Sequence, residues 1–154
     1  MDHKISAERN TRLRKKIFLN IFLLILFVFV VNSLAVFLFS WYWTIWWFDM
    51  LMHFLGGLFV GMLALWMYFF VFTRGKTKIG TWLHDHVGVV AFSLLSVLII
   101  GFAWELFEFG VDNVIALSDV RSLLDSASDL AWDAAGGMLA ALYFLKKKEL
   151  IDNS

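Results

Sequence analysis

Four long apolar stretches, separated by short polar ones, make up most of this chain. They cover residues 17–39, 50–72, 87–109 and 129–145. A helix needs ~20 apolar residues to cross the hydrocarbon core of a bilayer, with ~17 tolerated. The pattern therefore predicts an all-α fold, in which one domain of 154 residues forms a polytopic membrane protein with a four-transmembrane-helix bundle.

Composition supports a membrane setting and excludes several classes of site. The chain is 61% hydrophobic and 18% aromatic, with a mean hydropathy of +0.77, far outside the soluble range. It has no cysteine, which excludes disulfides, thiol nucleophiles and cysteine-based metal sites. Basic residues are too few for a nucleic-acid surface. The expected partner is the lipid bilayer.

The basic residues predict the orientation of the helices. Twelve of the 13 Lys and Arg residues lie in the basic segment 1–16, between the second and third stretches, or after the fourth. Only Arg121 lies elsewhere. Because Lys and Arg collect on the cytoplasmic side, we expect an N-in/C-in protein of the inner (cytoplasmic) membrane. Residues 40–49 and the loop 110–128 would then face outward.

Aromatic residues cluster at the predicted outer interface, in the segment WYWTIWW at 41–47. Such clusters are typical of an aromatic belt at the level of the lipid headgroups. A role in stacking on a ligand is the alternative.

Acidic residues and one histidine lie at the predicted outer ends of the second, third and fourth helices. They form three short stripes, each on one helical face: Asp49 and His53; Glu105 and Glu108; Asp129 and Asp133. Three helices with polar stripes at one level predict a buried site between them. One imidazole with several carboxylates is a ligand set for a divalent metal ion such as Mn, Fe, Mg or Zn. All six residues are candidate metal ligands, and Glu105, Glu108 and Asp133 are also candidate catalytic residues.

Several of these residues have simpler interpretations. Asp49 and Asp129 are candidate helix N-caps, although Ser126 or Ser128 would serve the fourth helix equally well. His53 is also consistent with a hydrogen bond between helices. The remaining acids of the outer loop are interpreted as solvated: Asp112, Asp119 and Asp125.

Glu105 and Glu108 are harder to explain as ordinary surface acids. They lie near the C-terminal end of an apolar helix, where the helix dipole disfavours negative charge. Facing lipid would cost several kcal/mol. We therefore expect both to face the bundle interior, where they share protons, pair with His53 or Arg121, or hold a cation.

A short internal repeat links the second and fourth helices. The stretches DMLMHFLGG at 49–57 and DLAWDAAGG at 129–137 align without gaps at an offset of 80 residues. This predicts two tandem helical hairpins. Because small residues let membrane helices approach closely, we expect the two helices to meet at their diglycines. His53 and Asp133 would then lie together.

These motifs resemble the VanZ-like membrane proteins. The matching stretches are Asp49-x-x-x-His53, Glu105-x-x-Glu108, Arg121 and Asp129-x-x-x-Asp133-x-x-Gly136. The Trp-Glu-Leu-Phe-Glu stretch is more similar still to the YjdF-type inner-membrane proteins. The likeness covers roughly residues 45–145. It implies a cell-envelope setting, since VanZ is associated with teicoplanin resistance. Glu108 and Asp133 stand where the VanZ pattern has amides, which makes this site more acidic.

Two features lie outside this constellation. The segment His84-Asp85-His86 is interpreted as an interfacial pair rather than a metal site, because residues two apart do not share a helical face. Asn32 and Ser33, in the outer half of the first helix, either support the site or bond back to their own helix.

Three functions remain open at this point. The first is a metal-dependent enzyme acting on a lipid or lipid-linked envelope substrate. The second is non-catalytic binding or transport of a cation, protons or a small ligand, against which the apolar inner halves of the helices argue. The third is a structural cluster of hydrogen-bonded acids.

Overall fold

The computed structural model describes residues 2–72, 85–111 and 123–152. Its α-helices are α1 (Asp2–Leu34), a short α2 (Trp41–Thr44), α3 (Phe48–Met67), α4 (His86–Val111) and α5 (Leu123–Asp152). Every regular element in these residues is helical, which confirms the predicted all-α class.

Three helical stretches in the described residues are long and apolar enough to cross a membrane. They are Glu8–Phe39, Phe48–Phe72 and His86–Val111. The fourth predicted span lies on α5, which is not among them. Asp129 and Asp133 lie in its apolar part and lower its hydropathy, while its apolar face packs against α3 and α4.

Two helices extend through short π-helical turns. Ala35–Phe39 continues α1 and Tyr68–Phe72 continues α3. Ser40 follows the first of these with a φ of 52°, the left-handed conformation that often ends a helix. The chain then turns into α2, which lies beside the start of α3.

The acids near the start of α5 lie inside the helix, which corrects the predicted loop and cap. α5 begins at Leu123, so Asp125, Ser126 and Ser128 occupy its first turns, and Asp129 is neither a loop residue nor an N-cap. Good helix formers such as Leu and Ala accompany these polar residues, and the helix dipole favours acids in a first turn. Within the predicted loop 110–128, residues 110–111 belong to α4 and residues 123–128 to α5.

α3 and α5 form the closest helix pair, and their backbones touch at the diglycines. A Cβ on Gly57 would collide with the carbonyl oxygen of Asp133. A Cβ on Gly136 would collide with the carbonyl oxygen of Phe54 and lie 2.5 Å from the backbone nitrogen of Leu58. The predicted close approach of these two helices is confirmed.

An apolar core fills the half of the bundle away from the acids. Its buried members include Ile17, Ile21, Met62, Leu65, Val89, Ala140 and Phe144. Above this core, Ser93 Oγ donates a 2.8 Å hydrogen bond to the carbonyl of Gly137, which links α4 to α5. The other end of the bundle, which lies beyond this core and carries the acidic residues, is called here the acidic end. The acidic end comprises the start of α3, the end of α4 and the first half of α5.

Candidate metal site

α3 contributes an acid and an imidazole on one face, one turn apart. Asp49 lies in the first turn, where the helix dipole stabilises a carboxylate. It is not the N-cap, since Trp47 holds that position and makes no side-chain cap. His53 follows one turn later and is only 7% exposed.

His53 lies among three carboxylates that come from two helices. Its Nε2 atom is 3.8 Å from Asp49 Oδ1 and also 3.8 Å from Asp129 Oδ2. These separations are too long for hydrogen bonds. On the other side of the ring, Nδ1 lies 3.5 Å from Asp133 Oδ2. The internal repeat predicted this His53–Asp133 pairing, and the structure places the two residues together.

α4 brings two further carboxylates to the same imidazole. Ligand atoms of His53, Glu105 and Glu108 all lie within 4.8 Å of one another. Those of Asp49, His53 and Asp129 form a second group of the same kind. All six predicted residues therefore converge around His53.

Glu105 provides an independent indication that something else belongs in this cluster. The side chain is 8% exposed, and its Oε1 atom is buried without a hydrogen-bond partner in the described part of the chain. A buried carboxylate in this condition is costly, because its lost hydration is not replaced. A cation or a proton at Glu105 would remove that cost.

The charges at the acidic end do not balance by themselves. Five carboxylates share one imidazole, and a protonated His53 would offset only one negative charge. Like charges this close cannot all ionise without a counter-charge. Among the described residues no Lys or Arg is placed against this cluster, so bound protons, a bound cation or a basic residue outside the described ranges must supply the rest.

The donor set and the spacing suit a divalent cation. A metal ion with bonds of ~2.0–2.2 Å holds its ligands at most about 4 Å apart, which the 3.8 Å separations match. Metal-binding histidines usually direct their second ring nitrogen at a carboxylate, which fixes the ring. Asp133 occupies that position beside His53. One imidazole with carboxylates suits Mn, Fe, Mg or Zn.

Gly101 makes room for the Asp133 carboxylate, and sequence reasoning missed it. A Cβ at this position would lie only 2.5 Å from Asp133 Oδ2. The available signal was spacing, because Gly101 precedes Glu105 by four residues and so shares its helical face.

A cavity of about 420 Å³ adjoins the acidic end, between α1, α3 and α4. Asp49, His53, Glu108 and Asp133 line it. So do Asn32 and Tyr42, whose hydroxyl donates a 2.6 Å hydrogen bond to Asn32 Oδ1.

The two polar residues of α1 behave differently. Asn32 lines the cavity beside the site and accepts the hydrogen bond from Tyr42, and its supporting role stays a prediction. Ser33 bonds back to its own helix, at the carbonyl of Phe29. Trp43 and Trp46 are 89% and 81% exposed, as an aromatic belt requires, whereas Tyr42 of the same segment lines the cavity.

The remaining predicted features lie away from the site or outside the described residues. His86 is exposed at the far end of α4, where its backbone N–H donates to Asp85 Oδ1. Four residues named in the sequence analysis lie outside the described ranges: His84, Asp112, Asp119 and Arg121.

The fold and the cluster define a class: an all-α membrane protein with a carboxylate–histidine cluster at one end of its bundle. The chain belongs to the family described as "Predicted membrane protein (DUF2238)", which it matches over residues 4–149. Comparison with curated proteins and with solved structures finds no match.

Proposed function

We propose that the acidic end binds a divalent metal ion and that the protein is a metal-dependent membrane enzyme. Asp49, His53 and Asp129 are the proposed ligands, with Glu105 and Glu108 offering carboxylates from α4. The observation that carries the proposal is the position of His53. One ring nitrogen lies 3.8 Å from two carboxylates, and the other lies 3.5 Å from a third.

The roles of the surrounding acids follow from where they lie. When bound, the metal would polarise an oxygen of the substrate or lower the pKa of a water molecule. Glu108 is half-buried and lines the cavity, so it is the acid best placed to accept or donate a proton there. Asp133 would orient His53. Glu105, which is more deeply buried, would balance the charge of the metal.

The proposed setting is the inner membrane, with four spans and both termini in the cytoplasm. The distribution of Lys and Arg supports this orientation, which places the acidic end on the outer side. A substrate there would be a lipid or a lipid-linked envelope precursor. Resemblance to the VanZ-like proteins, and to the related YjdF-type proteins, supports an envelope role.

Elemental analysis of the detergent-purified protein tests the metal proposal. We expect about one metal ion per chain after supplementation with Mn, Fe, Mg or Zn in turn. Asp129→Asn should lose the metal, because Asp129 is 2% exposed and faces His53. Asp125→Asn is the matched control, since Asp125 lies one turn earlier on α5 and is exposed. A wild-type protein without metal under every supplementation would refute the proposal.

A structural role is the second candidate, favoured by the contact of α3 with α5 at this level. His53 and Asp133 join these two helices next to Gly57. Under this reading, Asp129→Asn and Glu105→Gln would be mild, because amides retain most hydrogen bonds. Cation transport is less well supported, since the apolar core fills the other half of the bundle.

A further inference from the structure

The cavity beside the acidic end combines two kinds of lining. Most of its wall is apolar and comes from three helices: Ile25 and Val28 of α1, Met52 and Val60 of α3, Val97 and Ile100 of α4. Its volume of about 420 Å³ lies within the range of ligand-binding pockets, ~300–1,000 Å³. A ligand that filled it would bury mainly hydrocarbon.

The polar part of the lining belongs to the cluster around His53. Asp49, Glu108 and Asp133 reach the cavity together with the imidazole. A molecule that occupies the cavity and contacts these groups must therefore be amphiphilic, with an apolar chain and a polar head. A carboxylate cluster repels an anionic head unless a cation lies between them.

The cavity is also accessible from the side of the bundle. Three of its lining residues, Phe29 of α1 and Ile100 and Trp104 of α4, are 66%, 52% and 50% exposed, so packing does not seal the wall between these two helices. α4 is one of the helices that can cross the membrane, so this surface lies against lipid chains. A bilayer lipid can thus enter sideways, without passing through water.

We propose that the cavity holds the hydrocarbon chain of a bilayer phospholipid whose headgroup oxygens reach the metal at the acidic end. The inference rests on the proposed metal site and specifies its substrate class. The apolar wall selects a lipid chain over a soluble metabolite. The metal would bind the headgroup phosphate, because hard cations prefer oxygen ligands.

Two neighbouring isoleucines of α4 give a matched pair for the test. Ile100 lines the cavity, whereas Ile99 is 59% exposed and is not part of its lining. Ile100→Trp would occupy space that the hydrocarbon chain needs, whereas Ile99→Trp would face lipid. Val28→Trp and Val30→Trp form a second pair on α1, where Val28 lines the cavity and Val30 is exposed. If Ile100→Trp fails to fold, lipid retention is compared between Val28→Trp and Val30→Trp instead.

The measurement is native mass spectrometry of metal-supplemented protein after exchange into detergent containing phosphatidylglycerol. We expect the wild type and Ile99→Trp to retain the lipid, and Ile100→Trp to retain at least about tenfold less of it. Metal content should be equal in all three. Equal lipid retention by both tryptophan variants, or none by the wild type, would overturn the lipid site. Lipid retained by a wild-type protein that carries no metal would refute the metal proposal and the headgroup contact, and would leave only the site for the hydrocarbon chain.

Discussion

Asp133 joins His53 through its side chain, with Oδ2 lying 3.5 Å from the ring Nδ1. The backbone of Asp133 also touches α3 at Gly57, one turn beyond His53. One residue thus fixes the imidazole and lies at the contact of the two helices. Because of this coupling, the geometry of the cluster depends on how closely α3 and α5 pack.

The first prediction separates an orienting role for Asp133 from a structural one. Asp133→Asn should lower metal affinity about 10–100-fold, as loss of a partner to a metal-bound histidine typically does. Titration of the metal-free protein with Mn²⁺ or Zn²⁺ measures this change. The thermal midpoint of the metal-free protein should hardly move, because the amide can still bond to His53. Unchanged affinity would assign Asp133 a structural role alone.

The second prediction concerns the contact between α3 and α5. Gly57→Ala should destabilise the protein by about 1–3 kcal/mol or more. The new Cβ would overlap the backbone of Asp133, which cannot move aside as a flexible side chain can. Gly56→Ala is the control, because the nearest atom, Asp133 Oδ1, would lie 3.9 Å from the new Cβ. Thermal unfolding in detergent compares the two. Equal midpoints would contradict the close contact at Gly57.

The third prediction concerns Gly101. Gly101→Ala should weaken metal binding, because the new Cβ would push the Asp133 carboxylate away from its position beside His53. Gly110→Ala tests the general effect of alanine in α4, since a Cβ there meets nothing within 4 Å. Metal titration of both variants should show a loss only at position 101. Wild-type affinity in Gly101→Ala would argue against the placement of Asp133.

The fourth prediction compares two serines of α4. Ser93→Ala removes a hydrogen bond to α5, whereas Ser96→Ala removes one to the carbonyl of Phe92 in its own helix. Interhelical hydrogen bonds in membrane proteins contribute ~0.6 kcal/mol on average. We expect a loss of that order for Ser93→Ala and a smaller change for Ser96→Ala, measured by unfolding in detergent. A larger loss at position 96 would contradict this assignment.

The sequence predicted the pairing of α3 with α5 because the repeat fixes both the glycines and the residues four positions before them. Glu105 and Glu108 predicted that α4 joins the cluster, because polar residues in an otherwise apolar helix indicate the face that points inward. Glycines and polar residues remain informative in a membrane helix, although its lipid-facing and core-facing positions are both mainly apolar.

Other features could not be predicted from the hydrophobic pattern, because lipid-facing and core-facing positions are both apolar. The course of α1, and hence the cavity, cannot be predicted from periodicity, because Val28 and Val30 look alike in the sequence although only Val28 lines the cavity. α5 begins at Leu123, earlier than the predicted residue 129, and this was missed because Asp and Ser are found both at helix starts and in turns. The predicted fourth span and the orientation stay proposals.

Anomalous diffraction from crystals loaded with Mn²⁺ or Zn²⁺ tests whether His53 and its neighbouring carboxylates bind a metal ion. We expect one strong peak near Nε2 of His53, at about 2.0–2.3 Å from that atom and between the carboxylates of Asp49 and Asp129. The peak should disappear in Asp129→Asn and persist in Asp125→Asn. A loaded crystal without a peak at His53, or with its peaks only elsewhere on the chain, would contradict this expectation.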